Sequence, residues 1–105
     1  VGDEKAQAHA AQLAAHVYAL LGRGSEASRY QTRSQPIFFG EGAQPWEAAL
    51  AHAVAANVAA VNKDTTAHSE HYRKAIALVA ALPDPEDRQI LAATLNVVPL
   101  PGAFV

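Results

Sequence analysis

The apolar residues near the start of the chain recur at helical spacing and predict a helix over residues 3–21. Asp3 can cap its first turn, and Glu4 lies where the helix dipole favours negative charge. Gly22 follows the last leucine and suits the left-handed residue that ends many helices. The apolar face of this helix consists of Ala6, Ala10, Leu13, Val17 and Leu20.

A second helix is predicted over residues 45–62, and it carries two apolar stripes rather than one. Pro45 fits the first helical position, and Glu47 fits the first turn. The large stripe comprises Trp46, Leu50, Val54, Val58 and Val61, and the small stripe comprises Ala49, Ala53, Ala56 and Ala60. We therefore expect this helix to face two different neighbours, one of them at close range.

Two more helices are predicted over residues 64–82 and 84–98. Asp64 and Asp84 can cap them, and Pro83 separates them. The predicted buried stripe of the first is Tyr72, Ala75, Ile76, Val79 and Leu82. The apolar face of the second is Ile90, Leu91, Thr94, Leu95 and Val98. The pattern as a whole predicts an all-α fold: one domain over residues 1–105, built as a small antiparallel four-helix bundle.

Residues 22–44 lack a clear apolar period, so we predict a long loop between the first two helices. Within it, "PIFFG" places three consecutive bulky residues in a segment too short for a helix, which indicates a short extended piece. This piece either folds back as a lid on the bundle or anchors a partner, since aromatic residues concentrate in interface hot spots. The candidate partner-binding residues are Tyr30, Ile37, Phe38, Phe39 and Trp46.

Alanine makes up about a quarter of the chain, while large apolar side chains are few. A core built from alanine buries little area, so we expect a homodimer in which alanine-lined helix faces supply further contacts. The alanine bias is typical of a GC-rich bacterial source. The net charge of −2 and the pI of about 6.2 give no general attraction to nucleic acid or to anionic membranes.

The sequence lacks the motifs of several common catalytic sites. There is no cysteine, which excludes thiolate catalysis, disulfides and iron–sulfur ligation. Neither a Gly-x-Ser-x-Gly elbow nor a phosphate-binding loop is present, and the absence of Glu-x-x-His argues against a di-iron bundle. The segment "DRQILAATLNVVP" resembles the first helix and turn of a helix-turn-helix, but no reading helix follows it. We therefore expect neither catalysis nor nucleic-acid binding.

Histidines offer one alternative chemistry. His68 and His71 are three residues apart on a predicted helix, so both can reach a common point, and His52 on the preceding helix is a possible third ligand. The alternative function is a metal- or haem-binding bundle that uses His68 and His71. Our main interpretation is that these histidines flank the core, and we expect no cofactor.

The sequence therefore predicts a noncatalytic protein-interaction module, such as an adaptor, an inhibitor or a chaperone-like protein. It would use the aromatic loop and the alanine-lined helix faces, and its partner would be another protein or a second copy. We expect a soluble protein without a membrane partner, because no apolar run is long enough to span a bilayer. The Val-Gly start, in a chain without methionine, is compatible with a removed initiator, a cleaved leader or an excised domain, so the compartment stays open.

Overall fold

A computed structural model describes residues 4–40 and 42–101, and every regular element in those ranges is an α-helix. The helices are α1 Glu4–Leu20, α2 Gly24–Phe38, α3 Pro45–Val61, α4 Thr65–Ala80 and α5 Pro85–Leu95. The all-α prediction is confirmed. None of these five helices combines the length and the apolar character needed to cross a membrane.

The predicted loop over residues 22–44 is wrong for most of its length, because Gly24–Phe38 forms α2. The extended piece predicted around Phe38 is wrong for the same reason. Ala27, Ser34 and Phe38 are buried at intervals that place them on one helix face. Burial of this face against α1 and α3 overrides the low helix propensity of a Gly-, Ser- and Pro-containing segment. Pro36 lies in the last turn of α2, where it removes only one ladder hydrogen bond.

α3 is the central helix and contacts all four other helices. Its two predicted stripes face different neighbours. Val54 and Val58 pack against residues of α1 and α2, whereas Ala49 and Ala53 pack against residues of α4 and α5. α1 runs in the same direction as α3, because Lys5 pairs with Glu47 near the starts of the two helices. Farther along, Ala15 and Ala19 of α1 pack with Val54 and Val58 of α3. In the part of the chain that the structure describes, four helices therefore contact a shared α3, and the arrangement is not the antiparallel four-helix bundle that we predicted.

The apolar face predicted for α1 is not the face that packs. Leu13, Val17 and Leu20 are exposed, with 64% of Leu13 accessible. The opposite, alanine-rich face is buried instead, and it consists of Ala8, Ala11, Gln12, Ala15 and Ala19. Small side chains let α1 approach α2 and α3 closely, and this close approach explains why the alanine face is preferred.

The stripes predicted for the last two helices are partly correct. Val79 of α4 and Leu91 and Leu95 of α5 belong to the cluster that packs on Ala49 and Ala53. Ile76 and Ile90 are exposed, contrary to the prediction. Each of them lies at the edge of its stripe, where a small rotation of the helix turns a side chain into solvent.

Candidate functional site

His52 and His71 meet between α3 and α4. Their Nδ1 atoms are 2.9 Å apart, so one Nδ1–H donates a hydrogen bond to the other Nδ1. Phe39, just beyond the end of α2, stacks on both imidazoles, with ring centroids 4.5 Å from His52 and 5.7 Å from His71. These three rings therefore join α2, α3 and α4 at one place.

Both imidazoles are held in the neutral form at pH 7. Burial, followed by the repulsion that Lys74 and a protonated His71 would exert, lowers the pKa of His52 to about 4. Burial and Lys74 also lower the pKa of His71, while the carboxylates of Glu70 and Asp64 act in the opposite direction. Each ring therefore carries one protonated and one unprotonated nitrogen near neutrality.

A cleft of about 420 Å³ opens on one side of the histidine pair. Phe39, Lys74 and Leu78 line it together with the two imidazoles. A second groove, of about 280 Å³, lies between α2 and α4, and His71 lines that one as well. Both rings therefore line the cleft and His71 alone lines the groove, and each ring is only partly exposed.

His68 does not join this pair. It is buried, and its Nε2–H donates to the backbone carbonyl of Pro99 at 2.6 Å. Its ring also meets the edge of Tyr72. The three histidines proposed as alternative ligands therefore separate into a His52–His71 pair and a structural His68. Within residues 4–40 and 42–101, no three His, Cys, Asp or Glu side chains converge on a common metal position.

A second polar cluster surrounds Glu47, whose carboxylate is buried at the start of α3. It accepts hydrogen bonds from Lys5 Nζ at 2.9 Å, from His9 Nε2 at 3.1 Å and from the backbone N–H of Gln44 at 2.8 Å. Burial alone would raise the pKa of Glu47, but these three donors outweigh it, and the pKa lies below its ordinary value. The carboxylate therefore ties α1 to the start of α3.

Replacing Glu47 with glutamine is expected to cost about 1–2 kcal/mol of stability at pH 7, because charge-assisted hydrogen bonds to a buried acceptor are lost. The folded pKa lies below the unfolded value of 4.5, so the carboxylate stabilises the fold above pH 4.5. This contribution disappears as the pH falls through the folded pKa. Urea denaturation of both proteins should therefore give a difference at pH 7 that shrinks by pH 3.

The exposed carboxylate of Glu70 provides the control for this experiment, since Glu70→Gln reports the effect of removing one negative charge from the surface. A difference between wild type and Glu47→Gln that stays constant from pH 7 to pH 3 would contradict the assignment of Glu47 as a stabilising carboxylate.

The sequence-predicted partner-binding residues do not form one surface. Phe38 is buried, and Ile37 is half-buried beside it. His9 links Phe38 to Trp46, with centroid distances of 4.6 Å and 5.8 Å. Tyr30 stacks on Tyr18 at 5.6 Å. Only Phe39 and Trp46 keep more than a third of their surface exposed, at 39% and 37%.

One exposed apolar surface consists mainly of residues that the sequence pattern assigned to the packed face of a helix. It is the outer face of α1, defined by Leu13, Val17, Leu20 and, just beyond the helix, Leu21. The alanine faces expected to join subunits are unavailable for that role, because Ala49, Ala53 and Ala56 are buried within the chain. The signal that could have revealed the exposed face is the second, all-small stripe on α1 at positions 8, 11, 15 and 19.

Comparison with protein-family models, with curated proteins and with solved structures finds no match to this chain.

Proposed function

We propose that the protein is a noncatalytic interaction module that pairs with a second copy of itself through the outer face of α1. The supporting observation is that Leu13, Val17 and Leu20 stay exposed on a helix whose alanine face already packs on α2 and α3. Exposed apolar residues that form a contiguous stripe mark interaction surfaces far more often than scattered ones do.

The spacing of this face matches a two-helix seam. Leu13, Val17 and Leu20 continue a series that begins with Ala6 and Ala10. The intervals of this series alternate between four and three, as the d and a positions of a heptad repeat do. In that register Leu13 and Leu20 occupy d positions, and Val17 occupies an a position. A β-branched residue at a with leucine at d favours two-stranded packing.

The residues that flank the apolar stripe of α1 favour a second copy of the chain as the partner. Between Ala6 and Gly22 the chain has no Asp, Glu, Lys or Arg, so the seam lacks the charged flanks that select a different helix. Burial lowers the pKa of His16, which keeps this flanking imidazole neutral at pH 7. Two copies can therefore bring their α1 helices together without opposing like charges.

The seam is short, because the 17 residues of α1 span only about 25 Å. Stable interfaces bury about 800 Å² on each partner, and we expect this one to lie toward the weaker end of that class. Phe39 and Trp46 lie on other elements and are not part of the proposed interface.

Sedimentation equilibrium tests this proposal. The mass of the wild-type protein should rise from 11.0 kDa toward twice that value as its concentration increases through the micromolar range. A Leu13→Lys, Leu20→Lys double variant should weaken association at least tenfold, which corresponds to about 1.4 kcal/mol. Circular dichroism should show unchanged helicity, since both side chains are exposed.

The matched control is an Ile76→Lys, Ile90→Lys double variant, which places the same charges at exposed apolar positions on α4 and α5. It should dimerise like the wild type. A wild-type mass that stays at 11.0 kDa, or equal weakening by both double variants, would reject a second copy as the occupant of the α1 face.

A further inference from the structure

We propose that His52 and His71 form a pH-sensitive switch, which holds α3, α4 and Phe39 together until both imidazoles are charged. Their Nδ1 atoms are 2.9 Å apart and share one hydrogen bond, which needs one N–H and one lone pair. Only one of the two Nδ1 atoms can therefore carry a proton while this bond exists. The number of protons on the pair thus decides whether the two helices stay joined at this point.

The first added proton leaves the hydrogen bond intact. In the neutral pair, the ring that donates through Nδ1–H has an unprotonated Nε2, and the accepting ring carries its proton on Nε2. A proton that binds at the donor's Nε2 converts this ring to an imidazolium, whose Nδ1–H donates more strongly to the neutral ring. The pair therefore stays closed when it carries one positive charge.

The second added proton is incompatible with the hydrogen bond. It must bind at the accepting Nδ1, where it opposes the N–H of the other ring, so that two donors face each other. The ring centroids are 5.1 Å apart, and two positive charges at this separation repel. Rotation of one ring, or separation of α3 from α4, relieves both effects and opens the switch.

The charged groups around the pair act in both directions. Lys74 of α4 lines the cleft, and its charge disfavours protonation of both imidazoles. Asp64, which caps α4, and Glu70 favour a charge on His71, so His71 takes the first proton and His52 the second. In the described part of the chain, the other polar side chains that line the cleft and the groove are uncharged: Ser28, Gln31, Gln35 and Asn62.

The pH at which the switch opens follows from the second step. Burial lowers the pKa of both imidazoles below the ordinary value of 6.5, and it lowers that of His52 to about 4. The unfolded chain therefore binds more protons than the folded chain below pH 6.5, and the pair loses its stabilising contribution as the pH falls from 6.5 through about 4. The switch is closed at pH 7 and opens near pH 4.

Opening the switch releases Phe39. This ring stacks on His52 at 4.5 Å and on His71 at 5.7 Å, so it loses these contacts when the imidazoles move apart. Because Phe39 directly follows α2, acid should loosen the end of α2 and its connection to α3. The outer face of α1 contributes none of these three rings, so the switch is separate from dimerisation through α1.

Nuclear magnetic resonance of the wild-type protein tests the switch directly. A titration from pH 7 to pH 3 should show His71 protonated before His52, and the aromatic signals of Phe39 should shift with the second step. Tyr18 and Tyr30 stack on each other between α1 and α2 and report on the rest of the fold. Their signals should not change at that step.

His71→Asn separates the effect of charge from that of hydrogen bonding. The asparagine oxygen reaches about the position of the imidazole Nδ1 and accepts from His52 Nδ1–H whether or not His52 is charged. Phe39 should therefore keep its neutral-pH signals through the protonation of His52, and the pKa of His52 should be higher than in the wild type. His16→Gln is the control, because it removes a half-buried imidazole on α1 and should leave the opening at Phe39 unchanged.

Three results would overturn the proposal. The first is a wild-type Phe39 that shifts with the first protonation step or stays unchanged after both. The second is simultaneous change at Phe39, Tyr18 and Tyr30, which would mean that acid unfolds the whole protein. The third is an acid-induced shift of Phe39 in His71→Asn equal to that of the wild type. The wild-type titration decides the first two results even if the asparagine variant does not fold.

Discussion

Replacing Phe38 with alanine is expected to lower the free energy of unfolding by about 3–5 kcal/mol, the range for removing a buried phenylalanine ring. Only 1% of Phe38 is accessible. It packs with Ala8 of α1 and Ala51 of α3, and its ring lies against His9. Because both helix contacts are alanines, the neighbouring side chains are too short to refill the space that the ring leaves. Urea denaturation at pH 7 measures the loss.

The adjacent Phe39→Ala variant is the matched control, because it removes the same ring from a position that is 39% exposed. Its loss should be about 1 kcal/mol or less, since an exposed ring contributes mainly its stacking on His52 and His71. Equal losses of stability for the two variants would contradict the assignment of Phe38 as buried and Phe39 as exposed. Domains of ordinary size have only about 5–15 kcal/mol of stability, so the Phe38 variant should also lose much of its thermal stability.

The features of the fold that sequence predicts well are local ones. Asp64 and Asp84 were expected to cap helices, and each accepts a hydrogen bond from a backbone N–H in the first turn of its helix. Gly22 was expected to end the first helix, and its φ of 76° is the left-handed conformation that such a residue adopts. In each case the interacting groups lie within a few residues of one another, so the sequence itself contains the whole interaction.

α2 could not be predicted in the same way, because its stability comes from contacts with distant residues. Its sequence contains Gly24, Pro36 and several serines, all of which lower helix propensity. The contacts that compensate are Ala27 with the α1–α3 cluster and Phe38 with Ala8 and Ala51. All of these partners lie on α1 or α3, outside the sequence of α2 itself.

The packing face of α1 illustrates a different difficulty. Two faces of this helix are apolar, and the one with larger side chains is the usual choice for the core. The chain instead buries Ala15 and Ala19 against Val54 and Val58 of α3. Which face of α1 packs into the core depends on the size of the side chains that oppose it, and those side chains belong to another helix.

The meeting of His52 and His71 could be predicted in part. His52 and His71 lie on opposite sides of the short connection between α3 and α4, and a helical hairpin brings such residues together. The role of His68 could not be predicted, because its partner is the carbonyl of Pro99 beyond the end of α5. His68 and His71, three residues apart on α4, thus have different roles because different parts of the chain pack against them.

The second large effect is expected at Ala75, where α4 packs against α3. Ala75 and Ala49 are both fully buried, and they belong to the same core cluster. Two alanines at a helix contact allow a close approach, so a larger side chain must push the helices apart or adopt a strained rotamer.

We expect Ala75→Leu to destabilise the protein by about 1–3 kcal/mol, the usual cost of overpacking a core that has no space to expand. Ala77→Leu is the control, because Ala77 is exposed on the same helix two residues away. Alanine and leucine differ little in helix propensity, so the comparison isolates packing from helix formation. Urea denaturation should give a clearly lower midpoint for Ala75→Leu only. An Ala75→Leu variant as stable as the wild type would show that the space between α3 and α4 accommodates a leucine. That result would contradict the close packing of these two helices.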